Sequence, residues 1–128
     1  MISFRNAIVS LTLLVCSSDL WAQNLFDCEL LIGTWAGEHR YEDGQFNRWQ
    51  AVYSVGGQLS IEFYDEAQNP IGAQSGVWEC DGSWVTTQMQ DQGQSFEFSY
   101  QIRELDIFRY VYESIQGPVF TSYRRPSN

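Results

Sequence analysis

From residue 32 onward, apolar and polar side chains alternate in short runs, and most runs close on a turn-forming pair. A period of two puts successive side chains on opposite faces of an extended chain, so the pattern predicts half-buried β-strands. Eight are predicted, over 32–41, 46–55, 58–64, 71–80, 83–90, 95–102, 107–113 and 118–125. The joints Asp43-Gly44, Gly56-Gly57, Asp81-Gly82, Gln92-Gly93 and Gln116-Gly117 supply residues that accept the positive φ of tight hairpins. Only 65–70 forms a longer connection, so successive strands are expected to run antiparallel as a meander.

The alternation also assigns faces. Trp49, Ala51, Tyr53 and Val55 are expected inside, with Leu59, Ile61 and Phe63, then Phe96, Phe98, Tyr100 and Ile102, and finally Phe108, Tyr110 and Tyr112. Ser60, Glu62, Glu97, Ser99, Gln101 and Arg109 fall between them and belong to solvent. The strands at 71–80 and 83–90 carry mixed residues on both faces, so the pattern does not orient them. Ahead of the first strand, 25–31 has apolar residues spaced for one or two helical turns, with Asp27 near their start.

Eight strands that are apolar on one side must pack as two sheets or close on themselves, and closure removes both exposed edges. A Cys, a Trp and a second Cys invite comparison with an immunoglobulin-like sandwich, but Cys28 precedes the first strand instead of lying within it. The prediction is therefore all-β: an eight-stranded antiparallel up-and-down barrel with a short N-terminal helical plug across one mouth. A β-sandwich is the alternative.

The first 22 residues read as an export signal: Arg5, then an apolar stretch over 7–15, then Leu20-Trp21-Ala22 before Gln23. The apolar stretch is too short to span a bilayer, and no membrane span is expected after cleavage. Residues 23–128 then form a single domain. Leu13-Leu14-Val15-Cys16 is an alternative, lipid-anchoring reading, which the Val disfavours where a small residue is needed. Cleavage after Ala22 removes Cys16 and leaves Cys28 and Cys80, an even pair that predicts one disulfide in a periplasmic or secreted protein.

Charge narrows the partners. The net charge is −9 with no lysine, and loss of Arg5 together with Asp19 leaves it unchanged. Such a chain lacks the clustered positive charge that nucleic acid demands, and it has no lysine for Schiff-base chemistry. A basic protein partner remains compatible with it.

Gly33-Thr34-Trp35 opening the first strand, with Arg124 on the last strand, resembles the signature of lipocalin-like (calycin-type) proteins, and the layout is similar to short domains of that kind in bacterial secreted proteins. The resemblance implies that Gly33, Trp35 and Arg124 form a structural signature in which the arginine covers the indole; Arg125 is the alternative. The chain departs from typical lipocalins in lacking a Thr-Asp-Tyr motif and room for a C-terminal helix, so fold transfers more readily than activity.

The chemistry-bearing residues are sparse. His39 is the only histidine, which leaves no two-histidine metal site, and no Gly-x-Ser-x-Gly motif is present. Asp65-Glu66, Glu79-Asp81 and Glu104-Asp106 could supply paired carboxylates to a hydrolase, though residues at such joints are ordinarily solvated. The expected function is non-enzymatic binding of a small, partly apolar ligand, without cofactor or metal. His39, Tyr41, Trp49, Tyr53, Phe63, Tyr100 and Tyr110 are the expected lining residues of a cavity kept modest by its own large side chains. The competing expectation is an acidic protein-binding module, such as an inhibitor of a basic extracytoplasmic enzyme like lysozyme.

Overall fold

Each strand pairs with its neighbours in sequence, and the last pairs with the first. In the computed structural model, which describes residues 25–126, β1 (Gly33–Arg40), β2 (Phe46–Tyr53), β3 (Gln58–Tyr64), β4 (Pro70–Cys80), β5 (Trp84–Asp91), β6 (Gln94–Leu105), β7 (Arg109–Ser114) and β8 (Val119–Arg125) form a closed antiparallel barrel in that order. Pairs from Thr34↔Arg125 to Gly37↔Ser122 close the seam between β1 and β8. The predicted all-β barrel is thus the observed fold, and the sandwich is not. The export signal, its cleavage site and Cys16 lie outside the described residues.

The two ends of the barrel are built differently. At one end lie the β2–β3, β4–β5 and β6–β7 connections and the segment leading into β1, whose helical part is a single 3-10 turn, Cys28–Leu31. The Asp27 side chain accepts from the Glu29 backbone N–H at 3.0 Å and caps that turn. Cys28 is bonded to Cys80 at the end of β4, with Cα atoms 5.9 Å apart, and the Phe26 N–H donates to the Gly82 carbonyl at 2.7 Å. Both contacts hold the incoming chain against this end. Leu31 and Trp35 there are fully buried, beside Leu59, Val85 and Tyr110.

Inward and outward faces follow the alternation along β2 and β3, with four informative departures. Val55 is 82% exposed because β2 stops at Tyr53 and Val55 falls in the following turn. Phe108 is 70% exposed: Asp106 accepts from the backbone N–H groups of Phe108 and Arg109, at 2.7 and 2.8 Å, and after this turn β7 starts at Arg109, two residues later than expected. Phe96 and Phe98 belong to the predicted inner row of β6 but remain 37% and 41% exposed, because they occupy the end where the barrel is open.

The fourth departure lengthens β6 past its predicted end, to Leu105. Arg103 and Glu104 break the alternation in sequence, and a register shift between Ile102 and Glu104 absorbs the extra residue so that Leu105 also turns inward, 8% exposed. The two unoriented strands are settled as well. β5 directs Val85, Thr87 and Met89 inward, and β4 buries the Gln74, Gly76 and Trp78 row more than its alternate residues.

Candidate ligand-binding cavity

The barrel interior grades from solid packing to open space. A cavity of about 650 Å3 runs from Trp35, Tyr53 and Tyr110 at the closed end to Tyr41, Phe63, Phe98 and Ile115 at the other. This lies within the usual range of small-molecule sites, roughly 300–1,000 Å3, and exceeds the modest space expected from the aromatic content. Small residues make the difference: Ala51, Thr87, Ser114 and Ser122 stand on the wall among the rings.

The closed end explains its own residue types. Trp35 donates from Nε1 to the Leu31 carbonyl at 2.8 Å, so its only polar atom is satisfied inside the protein. The Arg124 guanidinium sits 4.4 Å from the Trp35 ring and donates to the carbonyls of Leu30, Ile32 (3.0 Å) and Ile107 (2.7 Å). One side chain therefore stacks on the indole and satisfies carbonyls on both flanks of the barrel seam. Gly33 has φ of +136°, and a Cβ there would collide with Arg124 Nη1. Its role is to admit the guanidinium, in a conformation that other residues rarely adopt.

Further toward the open end, Ser122 links two walls. Its Oγ accepts from Trp49 Nε1 at 2.9 Å and lies 3.3 Å from the Tyr112 hydroxyl, and Ser122 is 1% exposed. Phe120 packs edge-on against Trp49 at 5.8 Å and meets Tyr112 at 5.5 Å and Tyr100 at 6.5 Å. Tyr110 and Tyr112 stack at 4.2 Å, with Tyr110 set edge-on to Trp35 at 5.9 Å. Alternate residues of β7 thus form a ladder of rings rising from the closed end.

The phenols are held neutral. Burial, with the neighbouring Tyr112 and Tyr100 phenols adding, pushes the Tyr53 hydroxyl well above the ordinary tyrosine value. Burial does the same to Tyr110, reinforced by Tyr53, and to Tyr112, where the Ser122 contact partly opposes it. Tyr100 is pushed up to about 12, again chiefly by burial. The Tyr110 hydroxyl is the one buried side-chain polar atom without a hydrogen-bond partner among the described residues.

Of the residues expected to line a cavity, Tyr41, Trp49, Tyr53, Phe63, Tyr100 and Tyr110 do so. His39 is not among the lining residues: its half-buried ring packs edge-on against Tyr41 at 4.6 Å and Phe120 at 5.1 Å. Tyr112, Phe120 and Ser122 belong to the wall beside them. Tyr112 was legible as an inward aromatic, whereas a lone serine in a strand carries no signal.

Five of the six candidate carboxylates serve turns or ion pairs, and Glu79 is exposed on β4. Asp65 accepts from the Asn69 N–H at 2.8 Å, Asp81 from Ser83 and Trp84, both at 2.8 Å, and these backbone donors hold both carboxyls below the usual aspartate range. Asp106 is lowered in the same way by Phe108 and Arg109. Glu66 pairs with Arg40 at 2.6 Å and Glu104 with Arg109 at 2.6 Å. Glu97 borders the cavity at the open end, but its carboxylate accepts from Gln88 Nε2 at 3.1 Å, and no cluster of three or more His, Cys, Asp or Glu able to hold a metal occurs among the described residues. Compared with protein-family models and with curated proteins, the chain matches none.

Proposed function

We propose that this protein is an exported, non-enzymatic binding protein of lipocalin-like type that carries a small, partly apolar molecule inside the barrel. The observation that carries the reading is the cavity of about 650 Å3, closed by Trp35 and Arg124 at one end and reached from the other past Phe98 and Ile115. The Cys28–Cys80 bond fits an oxidising compartment outside the cytoplasm.

The test is titration with N-phenyl-1-naphthylamine, an uncharged apolar fluorophore, at low and high salt. Saturable enhancement that salt leaves unchanged, and that Tyr100→Ala weakens more than Glu62→Ala on the outer face, supports the reading.

A second reading, capture of a basic protein, rests on the surface charge. Arg40, Arg48, Arg103 and Arg109 are each paired with a glutamate and Arg124 is turned onto carbonyls, which leaves the remaining carboxylates in excess. Exposed charges are screened over roughly 8 Å at physiological salt, so such capture would weaken steeply as salt rises. Salt-sensitive capture of a lysozyme-like protein without fluorophore uptake would transfer the function to this reading.

A further inference from the structure

Most polar atoms inside the barrel are met by the protein itself. Trp35 donates to the Leu31 carbonyl, Trp78 donates to the Ser54 carbonyl at 3.2 Å, and Trp49 and Tyr112 share Ser122. The Tyr110 hydroxyl is sealed away by the side chains around it. Tyr53 and Tyr100 differ from all of these: both line the cavity, neither hydroxyl is sealed, and neither has a hydrogen-bond partner among the described residues.

These two phenols come from opposite walls, since β2 and β6 are four strands apart in either direction around the closed ring. Tyr53 packs edge-on against Trp78 at 5.4 Å, near the closed end. Tyr100 packs edge-on against Tyr112 at 5.2 Å and is stacked with Phe98, whose ring continues the apolar wall toward the opening. An occupant with only apolar surface would strip both hydroxyls of solvent and leave them unmet, which is costly. A charged occupant meets a different obstacle. No Lys, Arg or His lines the cavity, and the bordering carboxylate of Glu97 accepts from Gln88 on the outer face of the β5–β6 pair, so no counter-charge stands inside. The burial that raises the proton affinity of both phenols also penalises an anion placed beside them.

We propose, resting on the reading of this cavity as a binding site, that Tyr53 and Tyr100 form its polar subsite and select an uncharged, mainly apolar molecule that carries a carbonyl or hydroxyl oxygen. Each phenol donates to a carbonyl oxygen, or accepts from a hydroxyl, in place of the solvent that binding removes. Phe98 and the neighbouring rings of β6 and β7 hold the apolar body.

Three competitors of one skeleton test it: 2-acetylnaphthalene, 2-ethylnaphthalene and 2-naphthoate, each displacing N-phenyl-1-naphthylamine at neutral pH. The proteins are the wild type, Tyr53→Phe, Tyr100→Phe, the double variant, and Tyr123→Phe, which alters an exposed tyrosine. The ketone should bind the wild type about five- to tenfold more tightly than the hydrocarbon, the usual worth of one net hydrogen bond, and more than about tenfold more tightly than the carboxylate. Each single change in the cavity should narrow the preference for the ketone over the hydrocarbon, the double variant should abolish it, and Tyr123→Phe should keep it. Without ligand, the double variant should melt no lower than the wild type, since it keeps both rings and deletes hydroxyls that hold nothing in the protein. A marked drop in melting would show those hydroxyls bonded internally and overturn the subsite. Equal binding of ketone and hydrocarbon, or a preference that survives in the double variant, would overturn the subsite while leaving the cavity reading intact. A preference untouched by one single change would overturn the part given to that tyrosine. Carboxylate binding as tight as the ketone's would overturn the selection for uncharged molecules. Fluorophore uptake that none of the three competes with would overturn this inference alone, whereas no uptake by the wild type would overturn the cavity reading with it.

Discussion

Both ends of this barrel are rich in aromatic residues, yet the rings do different things. At the closed end Trp35 is fully buried, its N–H bonded to Leu31 and its face covered by Arg124, so nothing is left for a ligand to contact except its edge toward the cavity. At the open end Phe98 remains 41% exposed and Ile115 70% exposed, with no segment among the described residues folded across them. Residue type does not separate structural rings from ligand-facing ones. Whether a segment of chain returns to satisfy and cover them does.

The contrast breaks most decisively at Trp35. Trp35→Ala should destabilise by about 3–5 kcal/mol in denaturant unfolding, the usual effect of emptying a large buried aromatic site. Arg124→Ala should cost less, and the double variant should show coupling of about 1–2 kcal/mol, because the stacking and the carbonyl contacts are lost together. Additive effects would mean that the arginine and the indole act independently.

Reduction should be next in size. The Cys28–Cys80 bond closes a span of 52 residues, which in the chain-entropy model is worth on the order of 3–4 kcal/mol. Melting with and without reductant measures it directly, and quantitative alkylation of both thiols in freshly isolated protein would refute the bond.

Alkali should act between the ends. Tyr53, Tyr100, Tyr110 and Tyr112 have their proton affinities raised in the folded state, so above the ordinary tyrosine value of about 10 the unfolded chain binds fewer protons than the folded one. The stabilisation is complete below that pH and is lost as pH climbs toward and beyond the folded value, about 12 for Tyr100. Tyrosinate absorbance should show Tyr53, Tyr100, Tyr110 and Tyr112 ionising only as the protein unfolds.

The smallest stability effect belongs to the open end. Phe98→Ala should change unfolding free energy by no more than about 1 kcal/mol, since about two fifths of the residue already lies in water. It should nevertheless weaken uptake of N-phenyl-1-naphthylamine. A loss of stability comparable to that of Trp35→Ala would mean that the two ends do not differ as described.

Much of this architecture was readable along the chain. Strand order, number and turn positions emerged from alternation and Gly-containing joints; at Gln92-Gly93, for example, both residues adopt positive φ, 52° and 82°, as a two-residue hairpin requires. Six cavity residues were identifiable for the same reason, since a period of two assigns Trp49, Tyr53, Phe63, Tyr100 and Tyr110 to one face and places Tyr41 in line with Trp35. His39 shares that last alternation and still does not line the cavity, because Tyr41 and Phe120, which do, pack against its ring.

The sequence by itself determined which residues form strands, where the chain turns, and that two cysteines remain to be joined, because these depend on contacts between near neighbours and on a repeating period. Tertiary structure alone decided that the bulge after Ile102 returns Leu105 to the interior, that β5 turns Thr87 and Met89 inward, and that Ser122 holds two aromatic walls together. It also decided that the Tyr110 hydroxyl has no partner among the described residues while that of Tyr112, two residues along the same face, finds one. Those outcomes depend on which side chains closure of the barrel brings face to face across tens of residues, and no local pattern encodes that meeting.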